Sequence, residues 1–194
     1  MNILLSLSCF PQDVKACDQF ILSQAMSLGI FDALNFYLQE PLSKLSIKWP
    51  NDIYYKDYKI CGFLVSCDIE GPLVSRCILG AGINVNQRDF ESDAPNPISL
   101  AMIKGCSIDR MELIRRMLDC FINYFHKINA GLYDEIIQLY FSRMYRKKGL
   151  YAFKDSAGVF NAHVINVDSC GVLYLEDTSG HIRDYRFKEV SFVI

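Results

Sequence analysis

The chain has 194 residues, 51% hydrophobic and 13% aromatic, with 20 basic residues against 22 acidic and a formal net charge of −2. This apolar content excludes global disorder, and the near-neutral charge argues against a nucleic-acid binder that works through overall charge. No run approaches the ~20 apolar residues of a membrane span, and at roughly 150 residues per domain the length predicts one domain, or one with a small appendix.

In chain order, Met1 to Cys9 is apolar and ends in cysteine. It has no cationic start, the apolar run is short, and Ser-Leu-Ser before Cys9 is a poor processing site, so a buried strand is expected over Ile3 to Cys9 rather than a signal peptide. A core strand with nothing ahead of it is unusual. Eight cysteines without a signal fit a reducing, cytoplasmic setting. They include no C-x-x-C pair, the three histidines are scattered, and most of the thiols sit in apolar runs as small core residues. No metal site is expected.

Pro11-Gln12-Asp13 carries a turn and helix-start signal, and Val14 to about Leu38 reads as one long helix. Gly29 is a candidate kink, and Pro41 a stop. From Leu45 the period changes to two. Ser46 to Trp49, Ile53 to Tyr55, Tyr58 to Cys67 and Leu73 to Asn84 read as four consecutive strands joined by short turns at Lys56-Asp57 and Glu70-Gly71-Pro72. Asn86 to Pro97 reads as a loop. Helices are expected near Ser99 to Lys104, over Asp109 to Ile128 with Ser107 or Asp109 as cap, and over Tyr133 to Tyr145. Beyond the basic stretch Arg143 to Lys148, the last ~45 residues alternate short β-like runs with Asp/Gly turns, the pattern of a small barrel. The basic stretch reads either as a solvated helix end or as a contact for an anionic ligand or partner. The predicted class is α+β: a largely antiparallel or mixed sheet packed by helices over residues 1–146, then a small β-barrel over 147–194.

Two segments carry chemistry. In Lys48-Trp49-Pro50-Asn51-Asp52, followed by Lys59-Ile60-Cys61-Gly62, a two-residue turn at Lys56-Asp57 would pair Tyr54 with Lys59. Asp52 would then lie diagonal to Lys59 on the same face, ~7–8 Å away, with Lys48 approaching from the preceding strand end. Such a cluster can share a small anionic ligand, or it can be a solvated hairpin with its charges outward. In Gly80-Ala81-Gly82-Ile83-Asn84, glycines inside a strand mark either a bulge and tight packing or a place where a ligand comes close. The spacing is not that of a dinucleotide or Walker loop.

Together these segments, with Lys59-Ile60-Cys61-Gly62-Phe63-Leu64-Val65 between them, closely resemble the core signature of biotin protein ligases, which attach biotin to a lysine of the biotin carboxyl carrier protein. The resemblance runs through most of the chain and implies a biotin/lipoate ligase-like catalytic domain followed by a Src-homology-like barrel. It implies activation of biotin by ATP, accompanied by Mg2+, to biotinyl-5′-AMP, then transfer to the carrier lysine. Lys59 matches the lysine contacting the biotin carboxylate and α-phosphate, where a fixed cation steadies developing charge. Asp52 matches the aspartate that orients the lysine or the incoming amine. Lys48 and Asn51 match positions facing the phosphates and nucleotide, Gly62, Gly80 and Gly82 match small residues lining the cleft, and Asn84 matches an asparagine near the adenine.

Relatives carry, ahead of the strand matched by Ile3 to Cys9, a Ser-Thr-Asn run and a Gly-Arg-Gly-Arg-type loop, and these 194 residues hold neither. The domain therefore reads as N-terminally incomplete, and a non-catalytic binding module for the carrier protein or a small molecule is the alternative function. Ser66 stands where relatives often have Glu. No DNA-binding helix-turn-helix resemblance is present, so neither a nucleic-acid nor a membrane partner is expected. Relatives often dimerise, which allows a homodimer.

Overall fold

A computed structural model describes residues 1–39, 44–91 and 96–194. Pro41, the expected helix stop, and part of the 86–97 loop lie outside these residues. Among them run β1 (Ile3–Cys9), α1 (Phe20–Leu38), β2 (Leu45–Lys48), β3 (Asp52–Tyr55), β4 (Tyr58–Glu70), β5 (Leu73–Ile83), α2 (Leu100–Lys104), α3 (Arg110–Asn129) and α4 (Tyr133–Ser142). The chain then adds β6 (Tyr151–Asp155), β7 (Gly158–Val167), β8 (Leu173–Asp177), β9 (Ile182–Tyr185) and β10 (Ser191–Phe192).

The first sheet has the order β1-β5-β4-β3-β2 and is antiparallel throughout. Period-two alternation sorts its two faces. Ile3, Cys61, Phe63, Cys77, Leu79, Ala81 and Ile83 are buried in the core shared with α1, while Leu4, Leu64 and Ile78 on the opposite face are exposed.

Helix α1 is apolar on most sides because most of it is buried, lying between the sheet and α3 and α4, with Phe36 exposed near its end. It is continuous through Gly29, which is not a kink. A Cβ there would lie 3.0 Å from the Phe121 Cα, so the glycine is the point of close approach between α1 and α3. Helix α3, exposed on one side, is amphipathic. Its cap is Asp109, whose carboxylate accepts from the Met111 and Glu112 N–H groups at 2.8 and 3.3 Å.

Two expected helix boundaries are corrected by sheet bonding. Residues 14–19 are not part of α1. The Val14 carbonyl accepts from the Val74 N–H, and the Ala16 N–H donates to the Pro72 carbonyl, so this segment is spent on the start of β5. At the other end, Tyr133 to Tyr145 is helical only to Ser142. The Arg143 carbonyl and the Tyr145 N–H bond Ile47 on the outer edge of β2, each at 2.8 Å, which closes that edge.

The second sheet is antiparallel, with the order β10-β6-β7-β8-β9. The expected C-terminal strands are all present, and the ladder is that of a five-stranded sheet around Phe153. Its three turns share one device: Asp155, Asp168 and Asp177 each accept two or more backbone N–H bonds from residues two to four positions on. This sheet is tied to the first by an aromatic run from Tyr54 through Tyr145 and Phe192 to Phe153, with centroids 5.3, 5.7 and 4.9 Å apart. The Trp49 indole N–H adds a hydrogen bond to the Gly171 carbonyl at 2.9 Å.

Candidate functional site

The open face of the first sheet carries the candidate residues in one line. Lys48 pairs with Asp52, Asp52 with Gly62, Gly62 with Gly82, and Gly82 with Leu4, so a single cross-strand row spans all five strands. The parallel row Leu64, Gly80, Ser6 lies next to it. Directly opposed residues share a face, so these side chains project on one side, away from the helices.

The expected Tyr54–Lys59 pairing is present, but the ladder shifts between Ile53 and Tyr54, so that Asp52 opposes Gly62 rather than Cys61. The shift does not part the charges. The Lys59 Nζ lies 2.6 Å from the Asp52 Oδ1, a closer approach than the diagonal geometry predicts. Lys59 reaches it by crossing Gly62, where a Cβ would sit 3.1 Å from the lysine Cε and Nζ and 3.2 Å from the carboxylate.

Lys59 lies beyond the end of β5, whose last pair with β4 is Ile83–Cys61, and is clamped by the next loop. Its N–H donates to Asn96 and its carbonyl accepts from Ile98, both at 2.9 Å. The Asn96 amide also donates to the Asp57 carbonyl at the hairpin turn. A strand bulge of this kind re-aims one side chain without breaking the sheet.

Lys48 sits at the end of the row, between the rings of Tyr54 (5.1 Å) and Phe192 (5.0 Å), and forms no ion pair among the described residues. Burial lowers its pKa from the ordinary lysine value; Asp52 opposes this, and Lys59 and Arg146 add to it. Desolvation together with the nearby Asp52 pushes the Tyr54 phenol up to about 12. Cys61, fully buried beneath the row, is pushed far up by the same loss of hydration, so the thiol inside the motif is held protonated and is not a nucleophile.

The floor is open. Nothing lies closer than 3.9 Å to a Cβ built on Gly80, and on Gly82 the nearest atom is the Leu4 Cδ2 at 3.4 Å. Over Gly62 and Gly80 lies a cleft of about 520 Å3, with Asp52 and Lys59 at one end and Leu4 and Leu64 as apolar walls, while Gly82, expected to line it, lies under Leu4 and outside the lining. A charged end joined to an apolar, glycine-floored trough suits an elongated ligand with an anionic group.

Asn51 lines the cleft, but its amide N–H donates to the Phe63 carbonyl at 2.5 Å, and its own carbonyl accepts from Phe63, so it locks the turn onto β4. Asn84 stands apart from the row. Its amide spans the Lys59 carbonyl and Asn2, each at 3.4 Å. Of the basic stretch, Arg143 is spent on Asp32 at 2.6 Å and Arg146 on the Val193 carbonyl, also at 2.6 Å.

Sequence reasoning missed Leu4, Ser6 and Leu64 as cleft walls, although the alternation within β1 and β4 places them on the glycine face. It also missed the Asn96–Ile98 clamp and Phe192, which no local pattern signals.

The profile of the biotin/lipoate A/B protein ligase family matches residues 2–84. The bifunctional ligase/repressor BirA of Bacillus subtilis (strain 168) is 32% identical over 137 residues, 69% of this chain. The chain spans only 42% of that relative's length. The biotin–[acetyl-CoA-carboxylase] ligase of Paracoccus denitrificans is 25% identical over 167 residues, 82% of this chain and 68% of the relative. In fold, the chain is similar to the apo biotin protein ligase of Aquifex aeolicus, with a TM-score of 0.77 at 23% identity, covering 99% of this chain and 82% of that one. A structure of the Aquifex enzyme in complex with biotin and ATP superposes with a TM-score of 0.75 at 22% identity, over 98% of this chain and 77% of that one.

Proposed function

We propose that this chain, whose residues 2–84 match the biotin/lipoate A/B protein ligase family, is a biotin protein ligase that binds biotin and ATP in the glycine-floored cleft, forms biotinyl-5′-AMP, and passes the biotinyl group to a lysine of a biotin carboxyl carrier protein. The observation that carries this reading is the Lys59–Asp52 pair, 2.6 Å apart, at the charged end of an apolar trough.

In this reading the biotin rings lie along the trough over Gly62 and Gly80, which brings the carboxylate to Lys59. Attack by a carboxylate oxygen on the α-phosphorus forms the acyl-phosphate bond and expels pyrophosphate. Charge gathers on the phosphoryl oxygens, and a preorganised ammonium there lowers the barrier without reorganising solvent. Asp52 holds that ammonium in place until the anion arrives, then stands free to accept the proton of the attacking carrier amine. Lys48, partly desolvated and without an acidic partner among the described residues, receives the outgoing phosphates.

Magnesium would arrive on the nucleotide. Asp52, the carboxylate of the cleft, is engaged by Lys59, and the described residues include no cluster of three or more acidic, histidine or cysteine ligands, so the phosphates and water would hold the ion. We assign residues 1–146 to this catalytic unit and 147–194 to a small Src-homology-like barrel that supplies Phe192 beside Lys48.

The test is pyrophosphate release from ATP with biotin present, followed by biotin incorporation into a carrier domain. Wild-type chain is expected to support both, and Lys59→Ala to abolish pyrophosphate release while still melting cooperatively. Unchanged release in that variant would overturn the role of Lys59. Biotin binding with no release by wild type would favour the non-catalytic binding module.

A further inference from the structure

Away from the cleft, three cysteines meet on adjacent strands. Cys9 on β1, Cys77 on β5 and Cys67 on β4 are directly opposed in the ladder, Cys9 to Cys77 and Cys77 to Cys67. They therefore share a face, the helix-side one, at the far end of the sheet from the Asn84 turn. Cys77 thus faces a cysteine on each neighbouring strand. Cys77 is buried, whereas Cys9 and Cys67 are half-buried.

The hydrogen-bond phase of the ladder distinguishes the two pairs. The Asn84 N–H donates to the Ile60 carbonyl, which makes 60/84, and hence 62/82, 64/80 and 66/78, hydrogen-bonded pairs. Cys67/Cys77 then falls on a non-hydrogen-bonded position, where Cα atoms stand about 4.5 Å apart and side chains are closest. The Cys77 backbone points toward β1 instead, so Cys9/Cys77 is a hydrogen-bonded pair at about 5.5 Å. Both separations lie within the range a disulfide accepts. Cys9 and Cys67 are two strands apart, about 10 Å, beyond that range.

We propose that Cys67, Cys77 and Cys9 form a thiol oxidation site for peroxide-class oxidants, with Cys77 as the shared partner and a Cys67–Cys77 disulfide as the main product. The half-buried Cys67 sulfur attacks a peroxide oxygen, the O–O bond breaks, and a sulfenic acid and water form. The Cys77 thiol is held protonated by its hydrogen bonds to Cys67 and Cys9 and by burial. Oxidation of Cys67 removes one of those partners, and Cys77 then attacks the sulfenic sulfur as its proton leaves with the hydroxyl as a second water, so that the two cysteines are oxidised as the peroxide is reduced. Donation from the Cys77 thiol lowers the pKa of both Cys67 and Cys9, which favours the attacking thiolate. Cys9 can afterwards attack the Cys77 sulfur and release Cys67, giving the second linkage by exchange.

Trypsin separates the three thiols, because Lys15, Lys59, Arg76 and Arg88 place Cys9, Cys67 and Cys77 in different peptides. The reduced full chain, titrated with hydrogen peroxide, alkylated and mapped without reduction, is expected to yield a 67–77 cross-link, a lesser 9–77 cross-link and no 9–67 cross-link. In Cys77→Ser, dimedone is expected to trap a Cys67 sulfenic acid that wild type resolves. Recovery of Cys67 and Cys77 fully alkylated, at a peroxide dose that oxidises the exposed Cys17, Cys106 and Cys170, would overturn the proposal. A 9–67 cross-link would do the same. Should Cys77→Ser fail to fold, the wild-type map decides alone.

Discussion

Lys59 meets Asp52 at 2.6 Å by lying across Gly62, the residue that faces Asp52 in the β3–β4 ladder. The contact therefore depends on the absence of a side chain at position 62. A Cβ there would press on the movable end of the lysine at 3.1 Å, so Gly62→Ala should displace Lys59 rather than the backbone. Misplacing a catalytic group by about 1 Å can cost on the order of 10²-fold. We expect pyrophosphate release from ATP and biotin to fall about 10- to 100-fold in this variant, with a melting temperature close to wild type.

Lys48 gives opposite signs for stability and for binding. Its native pKa lies below the unfolded value because it is desolvated, so the protonated side chain opposes folding below the native pKa, and the penalty fades as pH rises toward 10.5. Lys48→Met should therefore unfold at higher denaturant than wild type at pH 7, by a margin that shrinks at alkaline pH. The same variant should bind ATP about tenfold or more weakly, since a hydrogen bond to a charged group contributes roughly 1.5–3 kcal/mol. Denaturation curves and ATP titrations across pH test the two halves separately.

Gly29 tests the packing of the helical layer. A Cβ would meet the Phe121 backbone at 3.0–3.1 Å, which cannot rotate away, so α1 and α3 must part. Overpacking of this kind costs about 1–3 kcal/mol, against at most ~1 kcal/mol of helix propensity gained. Gly29→Ala should lower stability by about 1–2 kcal/mol in urea unfolding and leave biotin and ATP binding unchanged, because the cleft is on the other side of the sheet.

Trp49 joins the signature segment to the second sheet through the Gly171 carbonyl. Gly171 has φ +85° and lies so close to Phe20 that a Cβ would be 2.7 Å from the ring, so the acceptor has little freedom to move. Trp49→Phe removes the donor and is expected to cost about 1 kcal/mol, with faster proteolysis within residues 147–194.

Asp177 gives the second sheet its acid sensitivity. Bonds from the Ser179 hydroxyl first, then Arg183 and the backbone N–H groups of the turn, hold its carboxyl well below the ordinary 3.8. A depressed carboxylate stabilises the fold above its unfolded pKa and loses that contribution as pH falls through the native one. In melts from pH 7 downward, wild type should exceed Asp177→Asn at neutral pH, and the gap should narrow below pH 3.8.

Much of this protein was legible in its residues alone: the strands with their period of two, the start of α3 at one of two candidate caps, the hairpin at Lys56-Asp57, and the segments that hold Lys48, Asp52, Lys59 and the glycines. These are local matters, set by alternation, turn chemistry and propensity within a few residues. Where α1 begins and α4 ends was decided by backbone bonds to β5 and β2, partners about 60 and 100 residues away in sequence, which no helical window contains. The same holds for the ladder shift that puts Gly62 under Lys59, for Phe192 beside Lys48, and for the alignment of three distant cysteines. Register and inter-sheet packing are settled only when the whole core closes, because each depends on which non-local backbone groups and side chains are left to satisfy one another.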